Sequence, residues 1–230
     1  MRIGLVFPQY FVVGFLMIFC FACTNSNTTF ELAKSSDSEK FVYQGARVKP
    51  PYPKPNVVLT TDKGEKFDFR EQTAGLLTLL YFGYTSCPDI CPLHMFEIDR
   101  VLSNLSNEAV KNIQVVFVTT DPERDTPEKL AKWLGYFNTD FIGLTGEYSE
   151  ILEVLAQVGI AKPVKTDLGG GEYLVSHPSY IVVYTPDDLG HIVYPILLKE
   201  SGGFDTEGLY EMLFHDLERL ALFGWEEVAE

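Results

Sequence analysis

The chain has 230 residues, of which 46% are apolar, and this is enough to bury one hydrophobic core. Its formal net charge of −14 argues against a nucleic-acid partner, because binding to a duplex depends on Lys and Arg side chains that neutralise phosphates. It also argues against electrostatic attachment to anionic lipid, since that requires a basic segment beside the bilayer.

The N-terminus is typical of an export signal. Residues 10–22 are apolar, follow a short segment whose only charge is Arg2, and end abruptly at a polar stretch. Ala22 before Cys23 resembles the end of a bacterial lipobox, which predicts lipidation of Cys23 and a membrane lipoprotein. Two alternatives stay open: an uncleaved anchor, since residues 3–23 are long enough to span a bilayer, and cleavage without lipid. All three place the domain on the periplasmic or extracytoplasmic side.

Composition divides the chain into three parts. We expect residues 1–22 to be the signal peptide or membrane anchor, residues 23–55 a flexible tether, and residues 56–230 the folded domain. The tether is polar and lacks apolar periodicity. It ends in the proline-rich sequence KPPYPKP, which is expected to be stiff and extended.

From residue 56 onward the apolar pattern becomes regular. A β-hairpin is predicted first, over NVVLTTDKGEKFDF, with Asp62, Lys63 and Gly64 in its turn. Short continuous apolar runs then predict strands buried on both faces, at residues 76–82, 113–118 and 179–184. A last strand over residues 191–197 contains Pro195 and is therefore expected at an edge of the sheet.

Helical periodicity separates the strands. Apolar residues spaced by three and four predict helices over residues 95–105, 127–137, 148–158 and 205–221. Thr126 is expected to cap the second of these, with Pro127 at its first position. This order predicts an α/β fold, a thioredoxin-like sandwich whose central mixed sheet is flanked by helices and preceded by the hairpin. In such sheets, sites form beyond the carboxyl ends of the central strands.

The loop after the first central strand contains Cys87 and Cys91, in YTSCPDICPLH. A structural disulfide between them would close a loop of only a few residues, and so would remove little entropy from the unfolded chain. A redox pair is favoured by Pro92, which suits the first helical position and puts Cys91 at the N-cap, where the helix dipole stabilises a thiolate. A metal site is the third interpretation, and it needs a further ligand.

Two thiolates and one histidine suit Cu(I), since iron–sulfur clusters require four cysteines and structural zinc requires four ligands. His177 is best placed as the third ligand, because it precedes a central strand whose entry borders the cysteine loop. His94, three residues after Cys91, is the alternative, although in the first helical turn we expect a solvated side chain. We expect His191 in a hairpin turn and His215 on the C-terminal helix, both away from the cysteines.

Three segments together resemble the signatures of the SCO/SenC family: YFGYTSCPDICP, VTTDPERDTPE and VSHPSYIVVYTPDD. The resemblance covers residues 56 to 222. It implies a thioredoxin-like, membrane-tethered metallochaperone that carries a copper ion during assembly of the CuA centre of cytochrome c oxidase. By position, Cys87, Cys91 and His177 would be the copper ligands. The implied partners are subunit II of the oxidase, an extracytoplasmic thiol reductase that keeps the cysteines reduced, and another copper chaperone.

The sequence departs from the family pattern around the histidine. Ser176 stands where the family commonly has Asp, and Pro178 stands where it has Thr or Ser; this proline restricts the backbone of His177 to extended geometry. The preceding sequence DLGGGEY is expected to be a flexible loop. Asp121, after the strand 113–118, is expected either to contribute to the copper loop, as in the family, or to cap a loop.

Two other functions stay open at this point, and with them the question of whether the protein is an enzyme. A thiol-disulfide oxidoreductase would use Cys87 and Cys91 as its catalytic pair to reduce the copper-site cysteines of the oxidase, without needing His177. A copper or redox sensor would act through protein contacts and would transfer no copper.

Overall fold

Ten strands and six helices make up the part of the chain that the computed structural model describes, residues 41–226. The strands are β1 (Ala46–Pro53), β2 (Val58–Thr61), β3 (Lys66–Asp68), β4 (Leu77–Gly83), β5 (Ile113–Thr119), β6 (Ile142–Thr145), β7 (Val164–Gly169), β8 (Glu172–Ser176), β9 (Ile181–Tyr184) and β10 (Leu189–Tyr194). The helices are α1 (Phe69–Gln72), α2 (Ile90–Leu102), α3 (Asn107–Val110), α4 (Pro127–Leu134), α5 (Tyr148–Gln157) and α6 (Thr206–Phe223). The predicted signal, Cys23 and most of the predicted tether lie outside the described residues.

Eight strands form one sheet, in the order β1-β10-β9-β4-β5-β6-β2-β3. The central strands β4, β5 and β6 are parallel, whereas the strands on both sides run antiparallel to their neighbours. The hairpin of β2 and β3 turns at Asp62–Gly64 as predicted. The α/β class with a mixed central sheet flanked by helices is confirmed.

Alternate residues of the central strands enter two different cores. In β4, Leu79 and Tyr81 pack on one face with α2, α4 and α6, while Leu80 and Phe82 pack on the other face with α5 and the β2–β3 hairpin. Every residue of β4 is buried, as expected for a strand covered on both sides. The carboxyl end of this rigid strand leads directly into the cysteine loop.

The helices with the clearest periodicity are confirmed. Thr126 caps α4, its hydroxyl accepting a hydrogen bond from the Lys129 backbone N–H, and Pro127 is the first helical residue. Helix α5 ends before Gly159, which has a φ of 72°. Helix α6 begins at Thr206, one residue after the predicted start, with Asp205 as its N-cap, and it extends to Phe223.

The folded domain begins earlier than the predicted boundary at residue 56. Part of the predicted tether forms β1, which pairs antiparallel with β10. Its proline-rich sequence suits an edge strand. Proline has no backbone N–H, and an edge strand has no partner on its outer side that would need one. As a consequence, β10 lies between β1 and β9 and is not the edge strand that we predicted; it ends at Tyr194, before Pro195.

The glycine-rich segment expected to be a flexible loop forms a second, two-stranded sheet of β7 and β8. The glycines are concentrated in its tight turn, where Gly169, Gly170 and Gly171 have φ values of 84°, 67° and 87°. Such values are accessible to glycine at little cost, so the glycines build the turn instead of loosening the segment.

Between residues 41 and 226, none of the helices is both apolar enough and long enough to cross a bilayer.

Candidate metal centre

Cys87 and Cys91 lie at the junction between β4 and α2. Cys87 is in the connecting loop and Cys91 is in the first turn of α2, which begins at Ile90. The N-cap is Asp89, whose carboxylate accepts a hydrogen bond from the Ile90 N–H at 2.5 Å. Our placement of Cys91 at the N-cap and Pro92 at the first helical position is therefore wrong by two residues, because the aspartate is the stronger cap.

His177 directly follows β8 and precedes β9. Its Nε2 lies 3.4 Å from the Sγ of Cys91. The ring packs edge-on against Tyr81 and Tyr84, with centroid distances of 6.4 and 5.7 Å. Its Nδ1 lies 3.2 Å from the carbonyl oxygen of Pro178. When a metal ion occupies Nε2, this carbonyl can hold the imidazole proton on Nδ1.

The fold brings together the three residues singled out from the sequence. The ligand atoms of Cys87, Cys91 and His177 all lie within 4.8 Å of one another, and within residues 41–226 no other such group of three is found. Two sulfur atoms on a metal about 2.3 Å from each are at most about 4.6 Å apart, so the observed spacing is close to what one metal ion requires. Both cysteines are free thiols.

The two thiols have opposite protonation preferences. The pKa of Cys87 is lowered to about 3, chiefly because its sulfur accepts a hydrogen bond from Cys91 and, secondarily, from His177. Cys91 is fully buried, and this desolvation raises its pKa well above the usual value. The metal-free pair therefore consists of a half-exposed Cys87 thiolate beside a protonated Cys91.

The lowered pKa makes the reactivity of Cys87 insensitive to pH. A thiol with the ordinary pKa of 9.0 gains about tenfold in alkylation rate per pH unit below that value, since only the thiolate reacts. We expect Cys87 in the reduced, metal-free protein to react with iodoacetamide at a nearly constant rate between about pH 5 and 8. Mass spectrometry should find Cys91 unmodified.

The Cys91→Ala variant serves as the control for this measurement. It removes the principal hydrogen-bond donor to Cys87, so the pH dependence of the alkylation rate should return. A wild-type rate that rises about tenfold per pH unit over this range would contradict the thiolate assignment.

His94 is buried rather than solvated, with 2% of its surface exposed. The cause is tertiary packing: His94 lies beside Thr206 and Leu209 at the start of α6, and its ring lies edge-on to Tyr81 at 5.3 Å. Burial lowers the pKa of His94 to about 4, so the side chain is neutral at physiological pH. It does not belong to the group of ligand atoms around the cysteines.

The remaining histidines lie away from this group. His191 is on β10 rather than in the turn, bonds Asp187 through Nε2 at 2.8 Å and stacks on Trp225. His215 is on α6 and stacks on Phe41. Neither contributes to the cluster of ligand atoms.

Asp121 is fully buried just after β5 and contacts the β7–β8 hairpin. Its Oδ1 accepts a hydrogen bond from the Tyr173 hydroxyl at 2.8 Å, and its Oδ2 pairs with Arg124. The carboxylate is not among the clustered ligand atoms. Asp121 therefore supports the segment that leads to His177 and does not itself approach the thiols.

Two supporting residues were missed from the sequence. Asp125 is fully buried and accepts hydrogen bonds from the backbone N–H and hydroxyl of Thr85, two residues before Cys87. Gly83 ends β4 directly behind Cys91: a Cβ there would lie 2.8 Å from the Cys91 Sγ. Asp121 was expected to contribute to the copper loop or to cap a loop, whereas the carboxylate of Asp125 was assigned only to the start of α4. Only the tertiary contacts separate their roles.

Cys87 and His177 border an open cleft of about 340 Å³, and Cys91 is not part of its lining. The Cys87 side of the cleft is formed by the loop through Pro88 and Asp89, and the opposite side by β8, including Leu174. A second protein can thus reach Cys87 and His177 from solvent, whereas Cys91 lies beneath them.

The chain is similar in sequence and structure to proteins of one family. The profile of the SCO1/SenC family matches residues 49–197. An SCO2-like protein of Rickettsia prowazekii is 37% identical over 145 residues, which is 62% of this chain and 70% of that protein.

Two solved structures match over almost their full length. The apo Sco1 protein of Thermus thermophilus has a TM-score of 0.66 at 28% identity, covering 79% of this chain and 99% of that one. The copper-bound ScoI of Bradyrhizobium japonicum has a TM-score of 0.58 at 30% identity, covering 76% of this chain and 98% of that one. The thioredoxin-like architecture is confirmed by this agreement.

Proposed function

Because the chain belongs to the SCO1/SenC family, we propose that it is a copper chaperone for assembly of the CuA centre of cytochrome c oxidase. Copper is its cargo, held by Cys87, Cys91 and His177 and passed to subunit II of the oxidase. The observation that supports this most directly is the clustering of the three ligand atoms within 4.8 Å. The similar ScoI of Bradyrhizobium japonicum has been solved with copper bound.

The chemistry of the donor set fits Cu(I). Thiolates are soft ligands that prefer Cu(I), and an imidazole nitrogen completes a three-coordinate site. Because Cys87 is already a thiolate, binding releases only the proton of Cys91. The ion enters from the cleft and ends between a half-exposed and a fully buried sulfur.

Transfer then proceeds by ligand exchange, without a change in oxidation state. A thiolate of the recipient approaches through the cleft and displaces Cys87, the accessible sulfur, and a second recipient ligand displaces Cys91. Both cysteines must be reduced for another cycle, which calls for a thiol reductase on the same side of the membrane and for a further copper chaperone that reloads the site.

We place this activity at the outer face of a membrane. In this proposal residues 1–22 are the signal, Cys23 carries the lipid, and the polar segment after it tethers the domain. A family lipoprotein of Bacillus anthracis has been solved and shares the fold. Metabolic labelling with palmitate, compared between wild type and Cys23→Ser, tests the anchor separately from copper binding.

Copper binding tests the proposal itself. The reduced protein, loaded anaerobically, should bind one Cu(I) per chain, and Cys87→Ser and Cys91→Ser should each abolish tight binding. His177→Ala should weaken affinity by about tenfold or more, whereas His191→Ala, a histidine outside the cluster, should bind as wild type does. Affinity is measured by competition with a chromogenic Cu(I) chelator.

Transfer is measured by mixing the loaded protein anaerobically with the copper-free, reduced soluble domain of subunit II, separating the two proteins and measuring the copper bound to each. A wild type that binds no Cu(I), or that keeps its copper in the presence of the recipient, would refute the chaperone function. Wild-type affinity in His177→Ala would remove the histidine from the ligand set.

The asymmetry of the two thiols favours a second candidate, a thiol-disulfide oxidoreductase. The Cys87 thiolate would attack a disulfide between the recipient's cysteines, releasing one of them and forming a mixed disulfide. Cys91, once deprotonated, would then attack the Cys87 sulfur, which yields the second reduced thiol and a Cys87–Cys91 disulfide. Reduction of an oxidised subunit II domain by the His177→Ala variant at the wild-type rate, without copper, would favour this function.

A further inference from the structure

The position of His177 depends on a segment that is separate from the main sheet. His177 follows the last residue of β8, and β8 pairs only with β7 in a two-stranded sheet. Every side chain of β7 is exposed. An isolated two-stranded hairpin is marginally stable in water, so contacts elsewhere must hold it in place.

One face of the hairpin supplies those contacts. The Tyr173 hydroxyl on β8 donates a hydrogen bond to the Asp121 Oδ1 at 2.8 Å. On β7, the Lys165 Nζ lies 2.7 Å from the Glu123 Oε2 and 4.0 Å from the Asp121 Oδ1. We call this group, Asp121, Glu123, Arg124, Lys165 and Tyr173, the hairpin latch.

Arg124 connects the latch to the surroundings of His177. Its guanidinium carbon lies 3.6 Å from the centre of the Tyr173 ring and 5.8 Å from the centre of the Tyr84 ring. The Tyr84 ring in turn packs edge-on against His177 at 5.7 Å. The same cation thus contacts β8, the strand directly before His177, and the aromatic ring beside the imidazole.

The centre of the latch is fixed more firmly than its rim. Asp121 is fully buried, and a buried carboxylate is costly unless its partners keep their geometry. Lys165 and Glu123 are exposed, so their ion pair contributes little. Tyr173 is therefore the hairpin residue that fixes the position of β8 relative to the loop after β5.

We propose that Tyr173 is a positioning residue for the copper ligand His177, acting through its hydrogen bond to Asp121 and its contact with Arg124. The inference rests on the proposed copper function. Tyr173 contacts no copper ligand atom itself; it holds β8 so that the imidazole faces Cys87 and Cys91 before copper arrives. Loss of the hydroxyl lets β8 move, and the His177–copper bond weakens while the sulfur–copper bonds persist.

A double-mutant cycle measures this coupling. Cu(I) affinity is determined for the wild type, Tyr173→Phe, His177→Ala and the double variant. Tyr173→Phe removes the hydroxyl but keeps the ring over Arg124, and it should weaken affinity by about tenfold. In the His177→Ala background the same change should have no effect, because the positioned ligand is absent. Tyr173→Leu, which also loses the ring, should show a larger loss.

Tyr180→Phe is the matched control, since it removes a tyrosine hydroxyl three residues after His177 and outside the latch. It should bind copper as the wild type does. The X-ray absorption spectrum of the loaded Tyr173→Phe protein should show a reduced imidazole contribution with unchanged sulfur scattering. Without copper, amide hydrogen exchange should accelerate in β7 and β8 but not in β4 or β9.

The outcomes separate the two proposals. Wild-type affinity in Tyr173→Phe, or an equal loss in the presence and absence of His177, overturns the positioning role while leaving copper binding intact. A wild type that binds no Cu(I) refutes the proposed function, and it removes the role of Tyr173 in copper binding as well. Unchanged amide exchange in the hairpin of Tyr173→Phe overturns the latch whether or not copper binds.

Discussion

Replacing Asp125 with Ala should lower the free energy of unfolding by about 3 kcal/mol and disorganise the cysteine loop. The carboxylate is fully buried and accepts hydrogen bonds from the Thr85 N–H at 2.9 Å, the Thr85 hydroxyl at 2.5 Å and the Thr119 hydroxyl at 2.7 Å. Alanine leaves these donors without their acceptor inside the protein. Each lost bond to a charged acceptor is worth about 1.5–3 kcal/mol, and relaxation recovers part of the total.

The effect should reach the thiols because Asp125 holds the chain directly before them. Lys129, 3.3 Å from the same carboxylate, also bonds the Ser86 hydroxyl at 3.2 Å, so two residues preceding Cys87 are tied to one anion. Once the anion is removed, we expect Cu(I) affinity to fall together with stability.

Urea unfolding and chelator competition measure the two effects of Asp125→Ala. Asp125→Asn keeps one acceptor oxygen and should lose less stability. Asp140→Ala removes an exposed carboxylate and should change unfolding by no more than about 0.5 kcal/mol. If Asp125→Ala unfolds at the wild-type urea concentration, the carboxylate does not hold the loop.

Gly83→Ala is the second substitution with a large expected effect. A Cβ at this position would lie 2.8 Å from the Cys91 Sγ and 2.9 Å from atoms of both Phe117 and Tyr81. All three neighbours are fully buried and have no space into which to withdraw. We expect a loss of about 2 kcal/mol in the free energy of unfolding from overpacking.

One of the atoms that Gly83→Ala displaces is the sulfur of Cys91, a proposed copper ligand, so the affinity for Cu(I) should fall as well. Moving the Cys91 sulfur alters its distance to His177 while leaving the chemical identity of all three ligands unchanged. Gly135→Ala makes the same change at the end of α4, where φ is −61° and the nearest atom to a new Cβ is 3.1 Å away. That control should leave copper binding intact, and equal affinity in Gly83→Ala would show that the site tolerates the shift.

The parts of the fold predictable from sequence are those with strong local periodicity. These parts are the continuous apolar runs of β4 and β5 and the apolar residues spaced by three and four in α4, α5 and α6. In each of these elements the buried positions recur at a regular interval, so the local sequence is enough to predict which residues are buried. The clustering of Cys87 with His177 follows from topology, since β4 leaves and β9 enters the sheet at neighbouring positions.

The parts that were missed depend on contacts distant in sequence. β1 carries no alternating pattern, and only pairing with β10 makes it a strand. His94 lies beside Thr206 and Leu209 of α6, more than a hundred residues away, so its burial cannot be predicted from the local sequence around Cys91. The hairpin of β7 and β8 was not predicted, because glycines are typical both of tight turns and of flexible loops. The supporting roles of Asp125 and Tyr173 likewise arise only from the packed structure.

The proline content of β1 bears on how the domain behaves when crowded. A sheet edge with free N–H groups invites strands from other molecules, which is how many β proteins aggregate. Here the outer strand contains Pro50, Pro51 and Pro53, which have no N–H to offer, and the opposite edge strand β3 is only three residues long. Both edges of the sheet are thus poor templates for intermolecular β-pairing, which should keep the domain monomeric at high concentration.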